Sequence, residues 1–342
     1  MIDYRSDTVT KPSQEMLKTM ITADLGDDVY GDDPTVNAFE QKMATLSGFE
    51  AAMIVNSGTQ SNLCALLAHC GRGEEYIVGQ GYHTYLYEAG GAAVLGSVVP
   101  QPIKVQPSGE LAFADIEAVI KEEDQHFAKS KLLSLENTHC GKVIPLDYFV
   151  KAREFADKHN LNIHLDGARI FNALTELKIE LSEICNYVDS ISICFSKGLG
   201  TPMGSVLCGS KTLIDKARRI RKMVGGGTRQ AGITAKAMDY ALDNNVPKLI
   251  NDHQNAKLLA DLLSDCNELT ITEPQTNMVY INLDESINSE LMAKLLLQEG
   301  IKVSVGQTLR LVTHLNIDQA DIIYTADTIK DVLNLISEAL QQ

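Results

Sequence analysis

The sequence predicts an α/β protein in which short buried strands alternate with helices. Three apolar runs, at residues 51–55, 131–135 and 191–195, have the length of buried strands and end in polar or glycine residues. Segments of helical periodicity separate them, for example residues 63–70 and 147–158. Because strands and helices that alternate in this way are typical of βαβ units, we expect a mostly parallel sheet flanked by helices.

The order of these elements divides the chain into three parts. Residues 1–30 are rich in turn formers and acids, and the apolar side chains of Val29 and Tyr30 indicate that this segment packs on the large domain or a partner subunit. We predict that residues 31–245 form one large domain. Residues 246–342 again alternate strand and helix, and we predict that they form a small αβ domain.

The composition excludes several classes of protein. The net charge of −15 argues against nucleic-acid and anionic-membrane partners. The seven cysteines are odd in number and include no Cys-x-x-Cys motif, which indicates reduced thiols. Neither a signal peptide nor an apolar run of the ~20 residues that span a membrane is evident. We therefore expect a cytoplasmic protein, and the absence of His-x-x-x-His and paired-cysteine spacing predicts no metal site.

The first strand leads into a turn of small polar residues, Ser57, Gly58 and Thr59, and then into a helix. This junction directs backbone N–H groups toward an anion, and the two hydroxyls can add hydrogen bonds. An ordinary helix cap would have the same sequence. The turn is therefore a candidate phosphate site that needs support from elsewhere in the chain.

A histidine and a polar cluster follow the next two predicted strands. His83 lies at the start of a helix, where its ring could lie flat on a cofactor or accept a proton. A histidine that bonds the backbone at a helix start would fit equally well. The strand at residues 131–135 ends in residues 136–139, Glu-Asn-Thr-His, which we expect near a cofactor or substrate.

Two further strands end in a carboxylate and a lysine. Residues 162–165 lead to Asp166, and residues 191–195 lead to Lys197, with room for a crossover helix between them. Ligands of open α/β sheets bind beyond the strand ends, so both side chains would face one crevice. Pyridoxal phosphate requires an amine that forms an imine and a carboxylate against its pyridinium nitrogen. Taken alone, Asp166 could instead cap the next turn, and Lys197 could instead extend its amine into solvent.

Basic residues in the second half of the chain are candidates for anion binding. Lys222 ends a basic helix, which runs into the glycines at 225–227 and then Arg229; glycines let the backbone approach a ligand, and arginine suits phosphate or carboxylate. Cations that favour the helix dipole explain Lys222 equally well. Arg310 lies in an apolar strand, where we expect it to be buried against a substrate carboxylate or an internal acid.

Together these segments resemble the L-threonine aldolases over almost the whole chain. The motifs that carry the resemblance are residues 5–10 (RSDTVT), 26–31 (GDDVYG), 135–139 (LENTH), 165–169 (LDGAR), 196–200 (SKGLG) and 225–230 (GGGTRQ). Thr228 departs from the methionine that the family often has. The resemblance implies pyridoxal phosphate fold type I, with a mixed, mostly parallel seven-stranded sheet in the large domain.

The resemblance also implies a role for each matching residue. Residues implied to contact the cofactor are Ser57, Gly58, Thr59, His83, Asp166, Arg169, Lys197, Lys222 and Arg229, with Lys197 forming the imine. Residues implied to contact the substrate are Ser6, His126, Arg169 and Arg310. His126, Lys222 and Arg229 are implied to reach the active site of a neighbouring subunit. The local sequence of His126 alone would indicate a surface-helix histidine.

The implied reaction is the retro-aldol cleavage of L-threonine and L-allo-threonine to glycine and acetaldehyde. We expect Lys197 to link the cofactor, and His83, His126 or a water between them to take the β-hydroxyl proton. The implied assembly is a homotetramer with shared active sites. Another enzyme of the same fold, an aminotransferase or a β-eliminating lyase, would keep Lys197 and Asp166 and is the alternative.

Overall fold

The computed structural model describes residues 1–340, and its elements follow the predicted alternation. The strands are β1 (Ile2–Asp3), β2 (Ala51–Val55), β3 (Glu74–Gly79), β4 (Val99–Ile103), β5 (Lys129–Glu136), β6 (Asn162–Gly167), β7 (Ser190–Cys194), β8 (Ser205–Gly209), β9 (Leu269–Thr272), β10 (Met278–Leu283), β11 (Ile301–Lys302) and β12 (Thr308–Val312). The helices are α1 (Gln14–Met20), α2 (Pro34–Ser47), α3 (Gly58–His69), α4 (His83–Leu86), α5 (Gly91–Gly96), α6 (Phe113–Val119), α7 (Leu146–Lys158), α8 (Ile170–Leu177), α9 (Leu181–Cys185), α10 (Lys211–Met223), α11 (Gly232–Asn244), α12 (Leu249–Leu263), α13 (Ser289–Gln298) and α14 (Gln319–Leu340). Short 3-10 helices cover Asp7–Val9 and Val246–Lys248.

Seven strands form one sheet in the order β2-β8-β7-β6-β5-β3-β4. Strands β3 to β7 pair in parallel, and β8 runs antiparallel to both of its neighbours. Helices α3, α7 and α10 pack on this sheet, and β7 and β8 are buried along their whole length. The predicted mixed, mostly parallel sheet flanked by helices is confirmed.

The strand register brings polar residues together at one edge of this sheet. Glu136 of β5 pairs with Asp166 of β6, and Asp166 pairs with Ser192 of β7. These strands are parallel neighbours, so their carboxyl ends lie at the same edge. From β7 the chain continues within a few residues to Lys197. The strand ends that the sequence marked as candidates therefore belong to adjacent central strands.

The chain divides into two compact units. One comprises Pro12–Ser196 and Thr201–Leu242, and it contains the whole seven-stranded sheet. The other comprises Met1–Lys11, Lys197–Gly200 and the described chain from Asp243 onward. The domain limits predicted from the sequence, at residues 30 and 245, stay predictions.

The second unit has its own sheets and core. Strands β12, β10 and β9 form an antiparallel sheet, and β1 pairs in parallel with β11. Helices α12 and α14 pack together, and their apolar side chains form a core with those of the strands, including Leu259, Val279, Leu311 and Ile329. Tyr4 is buried in this core and donates to Thr325 Oγ1 at 2.9 Å. Among the described residues, no helix has the length and apolar character that crossing a bilayer requires.

Candidate active site

The turn predicted to bind an anion lies at the N-terminus of α3. Ser57 is the N-cap, and its side chain accepts a hydrogen bond from Gln60 N at 3.2 Å. The first N–H groups of a helix have no partner within the helix, so those not taken by the cap can face an anion. A Cβ atom added to Gly58 would lie 3.9 Å from Cys194 Cβ and Ser205 Oγ. The turn therefore lies against the end of β7.

The carboxylate of Asp166 is buried and held on both oxygens. Its side chain lies at the end of β6 and the residue is 2% exposed. Oδ1 accepts from the backbone N–H of Ala168 at 3.0 Å, and Oδ2 accepts from Nδ2 of Asn62 at 2.8 Å. A carboxylate offers about four lone-pair positions, so a further donor can still bind. Asp166 is thus fixed in orientation and retains acceptor capacity.

Asn62 also joins Asp166 to a second buried acid and to His83. The same Nδ2 donates to Glu88 Oε1 at 2.8 Å, and His83 Nδ1 lies 2.9 Å from that oxygen. Burial raises the pKa of Glu88 and the charge of Asp166 raises it further, whereas the hydrogen bonds from His83 and Asn62 lower it. A ring nitrogen of His83 and one carboxylate oxygen each from Glu88 and Asp166 lie within 4.8 Å of one another. The Asn62 amide donates to both acids, which accounts for their proximity.

His83 is positioned through its backbone as well. Its N–H donates to Glu136 Oε2 at 2.6 Å, and His139 Nδ1 lies 2.7 Å from the other oxygen of Glu136. Burial lowers the pKa of His139, but hydrogen bonds with Cys140 and Glu136 outweigh this and raise it to about 9. The His83 side chain is 40% exposed, so its ring can meet a ligand.

Lys197 lies in the loop that follows β7. Its carbonyl oxygen accepts from Thr10 Oγ1 at 2.8 Å and from Gly200 N at 2.9 Å, which fixes the backbone of the loop. Its side chain is half-buried. The lysine is therefore carried by a defined turn directly after the strand that pairs with the Asp166 strand.

The structure places Ser6 and Arg310 close together. The Arg310 guanidinium donates to the backbone oxygen of Arg5 at 2.9 Å, and Ser6 caps the adjacent 3-10 helix. The prediction that Arg310 is buried is wrong, because alternation along β12 buries Leu309 and Leu311 and exposes the arginine. Its observed partner is a carbonyl oxygen, and the exposed guanidinium can still receive a carboxylate.

The remaining candidates lie on or near the surface. Arg169 precedes α8, three residues after Asp166. Lys222 and Arg229 are exposed, and Arg229 pairs with Asp27 at 3.0 Å. His126 is exposed beside Asp124 in the loop that follows α6, so the surface-helix alternative for it is wrong. The implied roles of His126, Lys222 and Arg229 involve a neighbouring subunit, so within one chain they stay predictions.

Comparisons with known proteins decide the family. A model of the beta-eliminating lyase family matches residues 3–286, most of the chain. The low-specificity L-threonine aldolase of Escherichia coli K12 is 52% identical over 322 residues, which cover 94% of this chain and 96% of that protein. The chain belongs to the beta-eliminating lyase family, among its L-threonine aldolases.

Plant relatives and solved structures agree with this assignment. A probable low-specificity L-threonine aldolase of Arabidopsis thaliana is 41% identical over 97% of each chain. The threonine aldolase of Leishmania major has a TM-score of 0.82 at 22% identity, over 98% of this chain and 100% of that one. The serine palmitoyltransferase of Sphingomonas wittichii has a TM-score of 0.78 at 17% identity, over 98% and 88%, and shares the fold. The predicted family and fold class are confirmed.

Three buried polar residues of this threonine aldolase were not predicted from the sequence. Asn62 and Glu88 lie far apart in the chain and meet only in the folded structure. His164 is two residues before Asp166 in β6, and residues at this spacing share a face of a strand. That spacing is the signal that could have identified His164, whereas Asn62 and Glu88 have no local signal of this kind.

Proposed function

We propose that this chain cleaves L-threonine and L-allo-threonine to glycine and acetaldehyde, with pyridoxal phosphate as its cofactor. Its close relatives bear the name low-specificity L-threonine aldolase, and the family assignment supports the same reaction here. The structural observation that carries the proposal is the buried carboxylate of Asp166, held at the end of a central strand next to the strand that leads to Lys197.

The residues present fit the cofactor. Asp166 has acceptor capacity left for a pyridinium N–H, and the N-terminus of α3 at Ser57, Gly58 and Thr59 suits a phosphate. Lys197 would hold the aldehyde carbon. When bound, the cofactor supplies an electron sink for the bond that breaks at the substrate Cα.

Arginine side chains would orient the substrate. Arg169 follows the Asp166 strand, and Arg310 lies next to Ser6, so both guanidinium groups are candidates for the α-carboxylate. Arginine binds carboxylate through two parallel N–H···O bonds, which fixes rotation as well as position. Fixing the carboxylate selects which bond at Cα is aligned for cleavage.

His83 is suited to take the proton of the β-hydroxyl. The contact of its Nδ1 with Glu88 Oε1 holds the ring in place, and an imidazole can take up a proton near neutral pH. The ring is 40% exposed, so hydroxyl groups of either configuration can reach it directly or through one water. This open approach supports action on both epimers. His126, supplied by a neighbouring subunit, is the second candidate base.

We further propose that the enzyme is a cytoplasmic homotetramer whose active sites are shared between subunits. Large apolar side chains are exposed on the unit that holds the main sheet, which supports burial in an interface. They include Tyr30 (78% exposed), Tyr87 (67%), Val94 (75%) and Leu95 (57%).

One assay tests the proposed reaction. The purified protein with pyridoxal phosphate is incubated separately with L-threonine and L-allo-threonine, and acetaldehyde and glycine are measured. From each epimer we expect acetaldehyde and glycine in a one-to-one ratio. We also expect activity to be lost after borohydride reduction of the enzyme and in the Lys197→Ala variant. Keto acid in place of acetaldehyde would indicate the alternative aminotransferase or eliminating lyase and would overturn the proposal.

A further inference from the structure

A continuous chain of hydrogen bonds, buried except for a partly buried one at His69, leads from the end of α3 to Asp166. His69 Nε2 lies 2.7 Å from Ser190 Oγ, and Ser190 Oγ lies 2.8 Å from His164 Nδ1. His164 Nε2 lies 3.1 Å from Asn62 Oδ1, and Asn62 Nδ2 lies 2.8 Å from Asp166 Oδ2. Asn62, His164 and Ser190 are almost fully buried. We call these contacts the Asp166 relay.

The secondary structure explains why these residues meet. Asn62 and His69 are seven residues apart in α3 and therefore lie on the same helix face, which packs on β6 and β7. His164 and Asp166 share one face of β6, and Ser190 is the register partner of His164 on β7. The relay is thus built from three rigid elements and no loop.

The hydrogen atoms of the relay can point in only one direction while Asp166 is charged. A carboxylate only accepts, so Asn62 must present its NH₂ group to Asp166 and its oxygen to His164. His164 must then carry its hydrogen on Nε2. Burial and, to a smaller extent, the nearby His69 outweigh a hydrogen bond with the Ser190 backbone and lower the pKa of His164 to about 3, so the ring is neutral and Nδ1 accepts from Ser190 Oγ.

The same reasoning fixes the direction of the hydrogen bond between His69 and Ser190, at the end of the relay farthest from Asp166. The hydroxyl hydrogen of Ser190 is used on His164, so Ser190 Oγ accepts from Nε2–H of His69. Burial lowers the pKa of His69 to about 4; the charge of Asp189 acts against this shift and that of Lys216 adds to it. Every donor in the chain is therefore neutral and points toward Asp166.

The direction of the Asn62 amide matters because one of its atoms contacts both acids. If the amide turned over, its oxygen would face Asp166 and Glu88, and both acids would lose a donor while Glu88 still faced His83. His164 donates to the Asn62 oxygen and so keeps the NH₂ group of Asn62 on the two acids.

We propose that Asn62, His164 and Ser190 are positioning residues that keep an N–H donor on Asp166 Oδ2, fix the carboxylate in one orientation and aim its remaining lone pairs at the ligand of the active site. The inference rests on the proposed function only for the identity of that ligand, the pyridine ring of the cofactor. Glu88 and His83 are the other titratable groups next to Asp166, and they contact the relay at Asn62.

Neutron diffraction of the full-length enzyme, exchanged into heavy water, tests the direction of the relay. We expect deuterium on Nε2 of both His69 and His164, none on Nδ1 of His164, and the deuterated Asn62 nitrogen facing Asp166. Deuterium on Nδ1 of His164 with a bare Nε2, or an Asn62 amide with its oxygen toward Asp166, would overturn the proposal. This readout needs no catalysis, so it stands even if the proposed reaction is wrong.

Substitutions at His164 test whether the relay matters to the ligand. His164→Leu removes the donor to Asn62, whereas the side-chain amide of His164→Gln can still donate there. Without a donor from His164, the Asn62 amide can turn its NH₂ group away from Asp166, so we expect His164→Leu to weaken pyridoxal phosphate binding about tenfold or more. The midpoint of the pH titration of the cofactor's absorbance should shift too, and His164→Gln should restore both quantities.

Ser61→Ala is the matched control, because it removes a buried hydroxyl from α3 outside the relay. It should leave both quantities at wild-type values. Ser190→Ala provides a smaller change if His164→Leu fails to fold, and we expect the same direction of shift. If the wild type binds the cofactor and these relay variants match Ser61→Ala, the relay proposal fails. If the wild type binds no cofactor, the proposed function fails and the neutron result decides the relay.

Discussion

At the scale of single residues, the amide of Asn62 sets the hydrogen bonding of two acids and one base. It donates to Asp166 and Glu88, and Glu88 in turn receives the ring N–H of His83. The ring of His83 is thereby held in place beside Glu88. The proposed base and the carboxylate proposed to face the cofactor are thus oriented by one shared side chain.

Replacing His83 tests its role as the base. We expect His83→Ala to lower kcat for L-threonine by about 10² to 10⁴, because a positioned general base contributes about that factor. Activity should fall without disappearing, since a water can take the proton. The measurement is the initial rate of acetaldehyde release at saturating substrate and cofactor.

His126→Ala, measured alongside, separates the two candidate bases. If His83→Ala retained the wild-type kcat while His126→Ala lost it, the base would be His126 of the neighbouring subunit. Unchanged rates in both variants would exclude both histidines.

Residues whose role follows from local sequence were predictable, and residues whose role depends on tertiary contacts were not. Asp166 and Lys197 follow apolar runs in the sequence, so the pattern of predicted strands alone indicated them as candidates. Arg310 was expected to be buried because it lies in an apolar strand, but the alternation of side chains along β12 exposes it. Glu88 has no local signal, because only the fold brings it to Asn62 and His83.

At the scale of elements, α3 presents two different surfaces to the site. Its first turn lies against the end of β7, where backbone N–H groups can bind an anion. Its inner face carries Asn62 and His69, which form the relay to Asp166. The strand–turn–helix sequence predicted the first surface, and the second requires the register between β6 and β7.

Substitutions at the cap of α3 separate helix stability from phosphate binding. Ser57→Asp keeps a capping oxygen and favours the helix dipole, but it places a negative charge where a phosphate would bind. We expect the free energy of unfolding without cofactor to be retained and cofactor affinity to fall at least about tenfold, since like charges repel at close range. Urea unfolding and absorbance titration with pyridoxal phosphate measure the two quantities.

Ser13→Asp is the control for this change. Ser13 caps α1 in the same way, by accepting from Met16 N at 3.1 Å, and no site residue lies in that helix. Its affinity for the cofactor should equal that of the wild type. If Ser57→Asp bound the cofactor equally well, the phosphate would have to bind elsewhere.

At the scale of the whole molecule, the chain carries basic residues that its own active-site contacts do not use. Lys222 and Arg229 are exposed, and Arg229 contacts only a surface acid among the described ion pairs. The resemblance assigns both to the phosphate of a neighbouring subunit. The sequence could supply this assignment only through family likeness, because no pattern within one chain marks a residue that acts in another.

Mixing defective subunits tests whether the sites are shared. One chain carries Lys197→Ala and the other carries Lys222→Ala with Arg229→Ala, and the two are co-expressed with different tags and purified as mixed oligomers. If basic residues serve the neighbouring site, a mixed pair has one site with both defects and one with neither. We therefore expect more activity than the average of the two parent oligomers.

A rearrangement of the same substitutions provides the control. When all three are placed in one chain and mixed with wild type, the wild-type Lys197 receives defective basic residues from its neighbour, so the mixed pair has no intact site. Activity in this control should fall below the average of its parents. If both mixtures gave the plain average of their parents, each subunit would use its own Lys222 and Arg229, and the exposed positions of those side chains would need another explanation.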